Sequence, residues 1–408
     1  MGTLTKRRWM PDRWLPMDER RSMPFDYEAY VPDEVSELDP VLASSTSRLL
    51  QEADDAVRDL NEDLPGIAGL EALARQLLRQ ESVASSRIEG LVMSQRRLAR
   101  AAIADDEQYR DASAESILAN MAAMDHAIEV TATRTEITTA AIVDIHRVLM
   151  EKTRDAHIAG VVRESQNWIG GNNYNPSGAA FVPPPEAEVP RLLDDLARFL
   201  NRTNISPTLQ AAIVHAQFET IHPFADGNGR VGRCLIHVVY KRAGTAARFV
   251  PPVSLILATE SDAYVRGLTA YRESREPDWY GDFAQTVIKA CGAARQLAGQ
   301  IAELKERWLR QAGDPRQGST ARGLIDVLAG QPILRTQHVV DLIGTSTTAA
   351  HNAINVLQAA GVLKQVTVGR RNRAWEAVGL LSLIDGFERR LATPEGAAKA
   401  ARQAPRPN

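Results

Sequence analysis

The residues best equipped for chemistry stand in one short run: His222, Asp226, Gly227, Asn228, Gly229, Arg230 and, one helical turn on, Arg233. Histidine is the side chain that can take a proton near neutral pH. One carboxylate next to phosphate oxygens is how proteins commonly hold Mg²⁺, and Asp226 supplies one. The free N–H groups at a helix start attract phosphate, and Gly227 and Gly229 let them approach an anion with no Cβ in the way. Arg230 and Arg233, at i and i+3, share a helix face and can grip phosphate with two-pronged hydrogen bonds. Together these residues point to chemistry on a phosphate ester.

Other readings of the same run fail on spacing. Gly227-x-Gly229-x-x-Gly232 imitates a dinucleotide fingerprint, but it follows a helix, and Val250-Pro251-Pro252 stand where an acidic residue is needed. No lysine follows a Gly-x-x-x-x-Gly stretch, so there is no Walker A loop. His215 and His222 lack the i, i+4 spacing and the companion ligands of a zinc site. His237 reads as a packing residue. A histidine before proline is, by itself, most often a packed loop residue; its company makes His222 more than that.

The elements around this run are helical. Ser206-Pro207 reads as an N-cap with proline at the first helical position, opening a helix over about 208–220. A loop over 221–227 leads into a second helix over 228–243, closed by Lys241, Arg242 and Gly244. Periodic apolar residues predict further helices in 39–102, 111–129, 137–151, 187–203, 260–275 and 279–312. The stretch 158–190 departs from this, with Val161–Arg163 and Asn167–Gly171 reading as short strands among turns. Residues 1 to about 35, with several prolines and two tryptophans, read as an irregular arm. A polar linker at 311–319 precedes helices over 320–329, 336–343 and 346–360 and a two-stranded ribbon over 362–378.

The motif formed by His222, Phe224, Asp226, Gly227, Asn228, Gly229, Arg230 and Arg233 resembles the core motif of the Fic (filamentation induced by cyclic AMP) family, His-x-Phe-x-Asp/Glu-Gly-Asn-Gly-Arg-x-x-Arg. The resemblance implies a mostly α fold, a Fic-fold helical core with a β-hairpin flap. It implies transfer of AMP from ATP to a Ser, Thr or Tyr hydroxyl of a target protein, the chain itself included. His222 would be the catalytic base, and Asp226 would hold Mg²⁺ against the phosphates. Gly227, Asn228 and Gly229 would form the anion hole, with Arg230 and Arg233 on the phosphate tail and Phe224 anchoring the loop in the core. Trp168, Ile169, Gly170 and Gly171 resemble the family's flap, which registers a target backbone by β-augmentation. Ser85-x-x-x-Glu89-Gly90, on a helix before the core, resembles its inhibitory motif. There Glu89 would pair with Arg233 and keep ATP wrongly posed, and the same residue assists AMP removal in some relatives. A different transferred group (UMP, phosphate or phosphocholine) stays within the same chemistry.

Residues 320–390 are similar in shape to a winged helix, with Thr347, Thr348 and His351 on the outer face of the second helix and Arg370, Arg371 and Arg373 at the wing tip. That makes DNA a candidate partner, and a DNA-binding regulator with a nucleotide-sensing core is the rival reading. The expected organisation is an N-terminal helical region with the inhibitory motif (1–110), a catalytic core (111–312), the winged helix (320–390) and a disordered tail (391–408).

Composition narrows the setting. Lys+Arg 48 against Asp+Glu 51 leaves a net charge of −3, so any nucleic-acid contact must come from a local patch. Two cysteines, Cys234 and Cys291, make neither a disulfide framework nor a four-cysteine zinc site, which suits a cytoplasmic setting. The basic start (Lys6–Arg8) is not followed by an apolar signal segment, and no apolar run reaches membrane-spanning length. Similar proteins often form homodimers, although no seam for one is legible.

Overall fold

A computed structural model describes residues 2–10, 24–62, 70–104, 111–172, 174–368 and 372–392. The chain opens with β1 (Thr3–Trp9) and β2 (Phe25–Val31), followed by α1 (Ser44–Glu62), α2 (Leu70–Ile88), α3 (Gln95–Ala102) and α4 (Ala112–His126). Next come α5 (Thr139–Met150), α6 (Val189–Leu200), α7 (Pro207–Ile221), α8 (Asn228–Arg242), α9 (Val253–Thr259), α10 (Ser261–Arg272) and α11 (Glu276–Gln311). The C-terminal part runs α12 (Thr320–Val327), β3 (Ile333–Leu334), α13 (Thr336–Ile343), α14 (Thr347–Ala359), β4 (Leu363–Val368), β5 (Asn372–Ala377) and α15 (Leu380–Ala392). Two compact units divide the chain: Met1–Asp54, Ala122–Thr245 and Asp262–Gln285 make one, and Asp55–Met121, Ala246–Ser261 and Thr286–Asn408 the other.

The first unit is built around α7 and α8. Every residue of α7 from Thr208 to Ile221 is buried, and α8 is buried from Arg230 to Tyr240. Helices that apolar can be satisfied only inside a shell of other elements. The start of α7 is fixed as its sequence predicts: Ser206 Oγ accepts the Leu209 N–H at 3.4 Å, with Pro207 at the first helical position. Buried Asp54 adds a carboxylate there, accepting the Thr208 N–H at 2.9 Å and its hydroxyl at 2.6 Å, where the helix dipole favours negative charge. The two helices pass closely at Gly232, where a Cβ would lie 2.8 Å from Glu219 Oε1 and 3.1 Å from Phe218 Cδ1. The third glycine of the false fingerprint thus serves helix packing.

In the second unit α2 packs along α9, where the Glu81 carboxylate accepts both the backbone N–H and the hydroxyl of Ser254. The last three strands pair antiparallel in the order β3-β5-β4, with α12, α13 and α14 packed together beside them. Glu376 of β5, 2% exposed, accepts two hydrogen bonds from Arg96 at 3.1 Å and one ion pair from Lys364 at 2.9 Å. A charge buried to that degree needs such pairing.

Several expectations need correction. The N-terminal arm is not irregular over its described residues: β1 and β2 pair antiparallel from Thr3–Val31 to Trp9–Phe25. Residues 11–23, which carry its Trp14 and two of its prolines, lie outside the description. Among the described residues around the flap there are no extended strands, only the single bridges Val162–Phe224 and Ile169–Phe181. Helices α9 and α15 were not foreseen; α9 is a short helix of seven residues after Pro251-Pro252, and α15 follows directly on the ribbon. The helix expected over 111–129 gives way after His126 to a π-turn at Ala127–Thr131. Among the described residues no helix is long and apolar enough to cross a membrane. Arg370, Arg371 and the tail from 393 lie outside the described residues.

Candidate functional site

The loop between α7 and α8 starts with a left-handed residue. His222 ends α7 with φ 48° and ψ 61°, and its N–H still bonds to the Phe218 carbonyl at 2.9 Å. Non-glycine residues rarely adopt this conformation, and here it turns the chain sharply after the helix. Two side chains from elsewhere in the first unit hold the turn. Arg163 donates from Nε to the His222 carbonyl at 2.9 Å and from its terminal nitrogens to the carbonyls of Ser165 (3.0 Å) and Pro184 (2.6 Å). Arg272 donates to the Glu219 carbonyl at 3.2 Å and the Thr220 hydroxyl at 3.3 Å, while its guanidinium lies 3.8 Å from the Phe181 ring centre. Burial pushes both arginines down to about 10, so both stay charged at neutral pH.

Phe224 is fully buried, as its anchoring role requires. Its ring stacks on the His146 imidazole of α5, centres 3.8 Å apart and planes within 3°. His146 also fastens the loop backbone: Nδ1 accepts the Gly160 N–H at 3.1 Å, which leaves Nε2–H to donate to the Asp226 carbonyl at 3.1 Å. Burial above all pushes its pKa down to about 4, so the ring is neutral and this tautomer is stable. Gly227 follows at φ 80°, where a Cβ would be strained by the turn and would crowd Leu149 Cδ2 at 3.0 Å.

Asn228 ties the loop to the helix it opens. Its Oδ1 accepts the Phe224 N–H at 2.9 Å and its Nδ2 donates to the Phe224 carbonyl at 2.8 Å. Its Nδ2 also lies 3.2 Å from His222 Nδ1, and Asn167 Nδ2 lies 2.9 Å from the same nitrogen. The His222 ring is half-buried; burial first, then the charges of Arg163 and Arg272, hold it well below the usual imidazole range. It is therefore neutral at physiological pH and able to accept a proton. Asp226 is the exposed member of the group, its Oδ1 taking the Gly227 N–H at 2.6 Å and its Oδ2 3.3 Å from Arg230. Arg230 and Arg233 are buried on the first turns of α8.

One loop thus gathers His222, Phe224, Asp226, Gly227, Asn228, Gly229, Arg230 and Arg233, as their spacing requires. Of the flap residues, Ile169 bridges Phe181, Trp168 Nε1 donates to the Asn172 carbonyl at 2.6 Å, and Gly170 and Gly171 take φ of 76° and 74°. The flap leans on the N-terminal hairpin: Trp9 meets Trp168 edge to face at 5.7 Å, Tyr30 N–H bonds to the Val182 carbonyl at 2.9 Å, and Arg7 pairs with Glu186 at 2.9 Å.

In the second unit, Ser85 is buried inside α2, while Glu89 lies just past the helix end, exposed, before Gly90 at φ 80°. The two therefore do not form a surface pair on a helix. Thr347, Thr348 and His351 are exposed on α14, over buried Ala350 and Ile354, and Arg373 is exposed on β5. His146, Arg163, Asn167 and Arg272 were missed. They come from 50 to 80 residues away in sequence, and only the Asn167 position, next to Trp168, carried a local signal.

Comparison with known proteins matches both regions. Residues 136–240 match the model of the Fic/DOC family, and residues 47–129 match the model of the Fic/DOC family N-terminal region. A protein adenylyltransferase Fic from Drosophila erecta is 34% identical over 119 residues, 28% of this chain and 22% of that protein. A probable protein adenylyltransferase from Aquifex aeolicus is 44% identical over 68 residues, 16% of this chain and 21% of that one. One from Caenorhabditis elegans is 32% identical over 132 residues, 32% of this chain and 23% of that one. The matches span about a fifth of the length of these curated relatives. Among solved structures, a Fic family protein from Desulfovibrio desulfuricans G20 superposes with a TM-score of 0.51 at 18% identity, over 83% of this chain and 98% of that one. A Fic domain containing signaling protein from Bacteroides thetaiotaomicron gives 0.50 at 17%, over 63% and 97%. At such identities the likeness is one of fold.

Proposed function

We propose, from the premise that this chain carries a Fic domain preceded by the N-terminal region of the same family, that it transfers AMP from ATP to a hydroxyl of a protein. The observation that carries this reading is the His222 imidazole, neutral and clamped beside the glycine-lined start of α8. The first-turn N–H groups of α8 and the Arg230 and Arg233 guanidiniums bind the phosphate chain, and His222 takes the proton of the attacking hydroxyl. The bond from hydroxyl oxygen to the α-phosphorus forms as the bond to pyrophosphate breaks. Such chemistry is driven by positioning and by charge stabilisation rather than by covalent help from the protein.

Asp226 offers one solvent-facing carboxylate beside that cradle, which fits a Mg²⁺ ion that arrives with the phosphates better than one held by protein alone. Bound there, magnesium would neutralise phosphate charge. The Ser85–Glu89–Gly90 motif supports a further element of the reading, that Glu89 restrains the activity. Intact-mass spectrometry of Glu89→Gly after incubation with ATP and magnesium tests both. A mass gain equal to AMP, larger than in the unmodified protein and abolished by His222→Ala, is expected; a gain of another mass, or none, overturns the assignment.

For residues 320–390 the reading is a winged helix that lays α14 against DNA, supported by the exposed row of Thr347, Thr348 and His351. A mobility-shift titration against mixed duplexes, repeated at rising salt, tests it; no salt-sensitive binding would remove DNA as a partner.

A further inference from the structure

The first unit holds a second hollow, of about 300 Å³, bordered by no residue of the His222 loop or the flap. That volume lies at the lower end of what small-molecule sites occupy. Its walls come from the loop after β2, from α7 and α10, and from the first turns of α11. One side chain ties the first three together. Gln217 of α7, 1% exposed, donates from Nε2 to the Asp33 carbonyl at 2.8 Å, and its Oε1 accepts the Tyr271 hydroxyl at 3.0 Å. The loop is also pinned to α6 and beyond: Asp195 accepts the N–H of Val35 at 2.5 Å and of Ser36 at 3.2 Å, and Arg202 donates to the Leu38 carbonyl. A hollow framed in this way is preformed, so filling it costs little reordering.

The charged residues that border it are all of one sign. They are Asp33, Glu34, Asp39 and Glu276, and no lysine, arginine or histidine joins them among the described residues. Glu34 is spent on Arg191. Glu276 is half-buried and makes no ion pair or hydrogen bond with any described residue. A carboxylate in the first turn of a helix suits the dipole, which would account for Glu276 alone. It does not account for Tyr280, one turn on along the same face of α11. Tyr280 is 2% exposed and borders the hollow, yet its hydroxyl bonds to no described residue and is not sealed from solvent either. The hollow is therefore where that hydroxyl opens. Burial first, then the charge of Glu276, pushes its pKa up, so it stays a phenol with lone pairs to offer. Polar groups buried to this degree are rarely left without a partner, and a bound donor would supply one to both residues.

We propose that this hollow binds a small organic cation through its N–H groups, with an ammonium or guanidinium head held by the Glu276 carboxylate and the Tyr280 hydroxyl. Each of the two takes one N–H, and the carboxylate bond is strengthened by charge on both sides. Asp39, also without a described partner, deepens the negative field around the head. Tyr30, Tyr271, Pro32 and Leu38 border the same space and offer an apolar bed to the rest of the ligand. An alkylamine therefore suits the site better than a bare ammonium ion.

The test is an NMR titration of the full chain, labelled with ¹³C in its tyrosine rings, by n-butylammonium. Saturable shifts of the Tyr280 and Tyr271 signals are expected, whereas 1-butanol, equal in length and uncharged, should give none that saturate. Glu276→Gln should weaken binding about tenfold and Tyr280→Phe about fivefold, the latter followed at Tyr271, with the thermal melt of the free protein little changed in either. An acetyl-blocked Gly-Lys-Gly amide carries the same head group on a peptide. If butylammonium binds and the peptide does not, the ligand is a free amine; if both bind, a lysine side chain of another protein supplies the head. No saturable shift with either probe, equal affinity for butanol, or full affinity in either variant overturns the proposal. His222→Ala should bind the cation unchanged, so the result stands apart from the reading of the transfer reaction.

Discussion

The loop from His222 to Arg230 and the outer face of α14 are both short, both polar and both placed at a helix start, but they are held in opposite ways. In the loop the residues suited to chemistry are also its fasteners: Asn228 closes the Phe224 peptide group, Phe224 stacks on His146, and His146 holds the Asp226 carbonyl. On α14 the polar residues stand outward and the helix is held by others, Ala350, Ala353, Ile354 and Leu357 beneath it. Changing one of these fasteners should therefore disturb shape and chemistry together, whereas the α14 face should tolerate change with little structural consequence. A recognisable motif arises where function and support fall on the same atoms.

This contrast can be broken by experiment, starting where the effect should be greatest. His222→Ala is expected to cut transfer by about 10³-fold with little loss of stability, measured as ATP-dependent mass gain beside a thermal melt. Gly227→Val forces a β-branched residue into a left-handed turn against Leu149 and should cost about 2–4 kcal/mol in denaturant unfolding as well as most activity. His146→Ala removes the Phe224 stack and the Asp226 tie, and about 3 kcal/mol of stability should go with it. If instead the melt is unchanged, the loop is supported from elsewhere and the comparison fails.

Acid should act through the same residues. His146 and His215 are buried neutral, pushed by burial to about 4 and about 3, while the unfolded chain titrates them near 6.5. Between those values the unfolded state binds more protons, so stability present above about pH 6.5 is lost as the pH falls toward 4. Melts from pH 7.5 to 4.5 should show this, with a shallower slope in His215→Phe. Smallest of all, Ala at Thr347, Thr348 and His351 together should shift stability by less than about 0.5 kcal/mol and leave transfer untouched. A DNA mobility shift is the one readout these changes should move.

What could be read from the sequence follows the same division. The run from His222 to Arg233 was legible because its parts are contiguous and each residue type has a local reason to be there. The caps of α7 were legible too, from Ser206 and Pro207. His146, Arg163, Asn167 and Arg272 were not, since a histidine on α5 or an arginine near a flap acquires meaning only when folding brings it to the loop. The β1–β2 hairpin was misread because Lys6-Arg7-Arg8 shows no alternation of apolar and polar residues. Its pairing is secured by remote partners, Trp168, Phe181 and Glu186. A short helix such as α9 leaves too few residues for periodicity to register.

The grip of the hairpin on the flap limits how anything else can join it. Along the arm that holds Phe181 and Val182, one side is spent on Ile169 and the other on Tyr30. An extended segment adding itself there would meet both sides of that arm already bonded. A graft that exchanged flaps between proteins would have to bring the leading hairpin along, or inherit an unsupported edge.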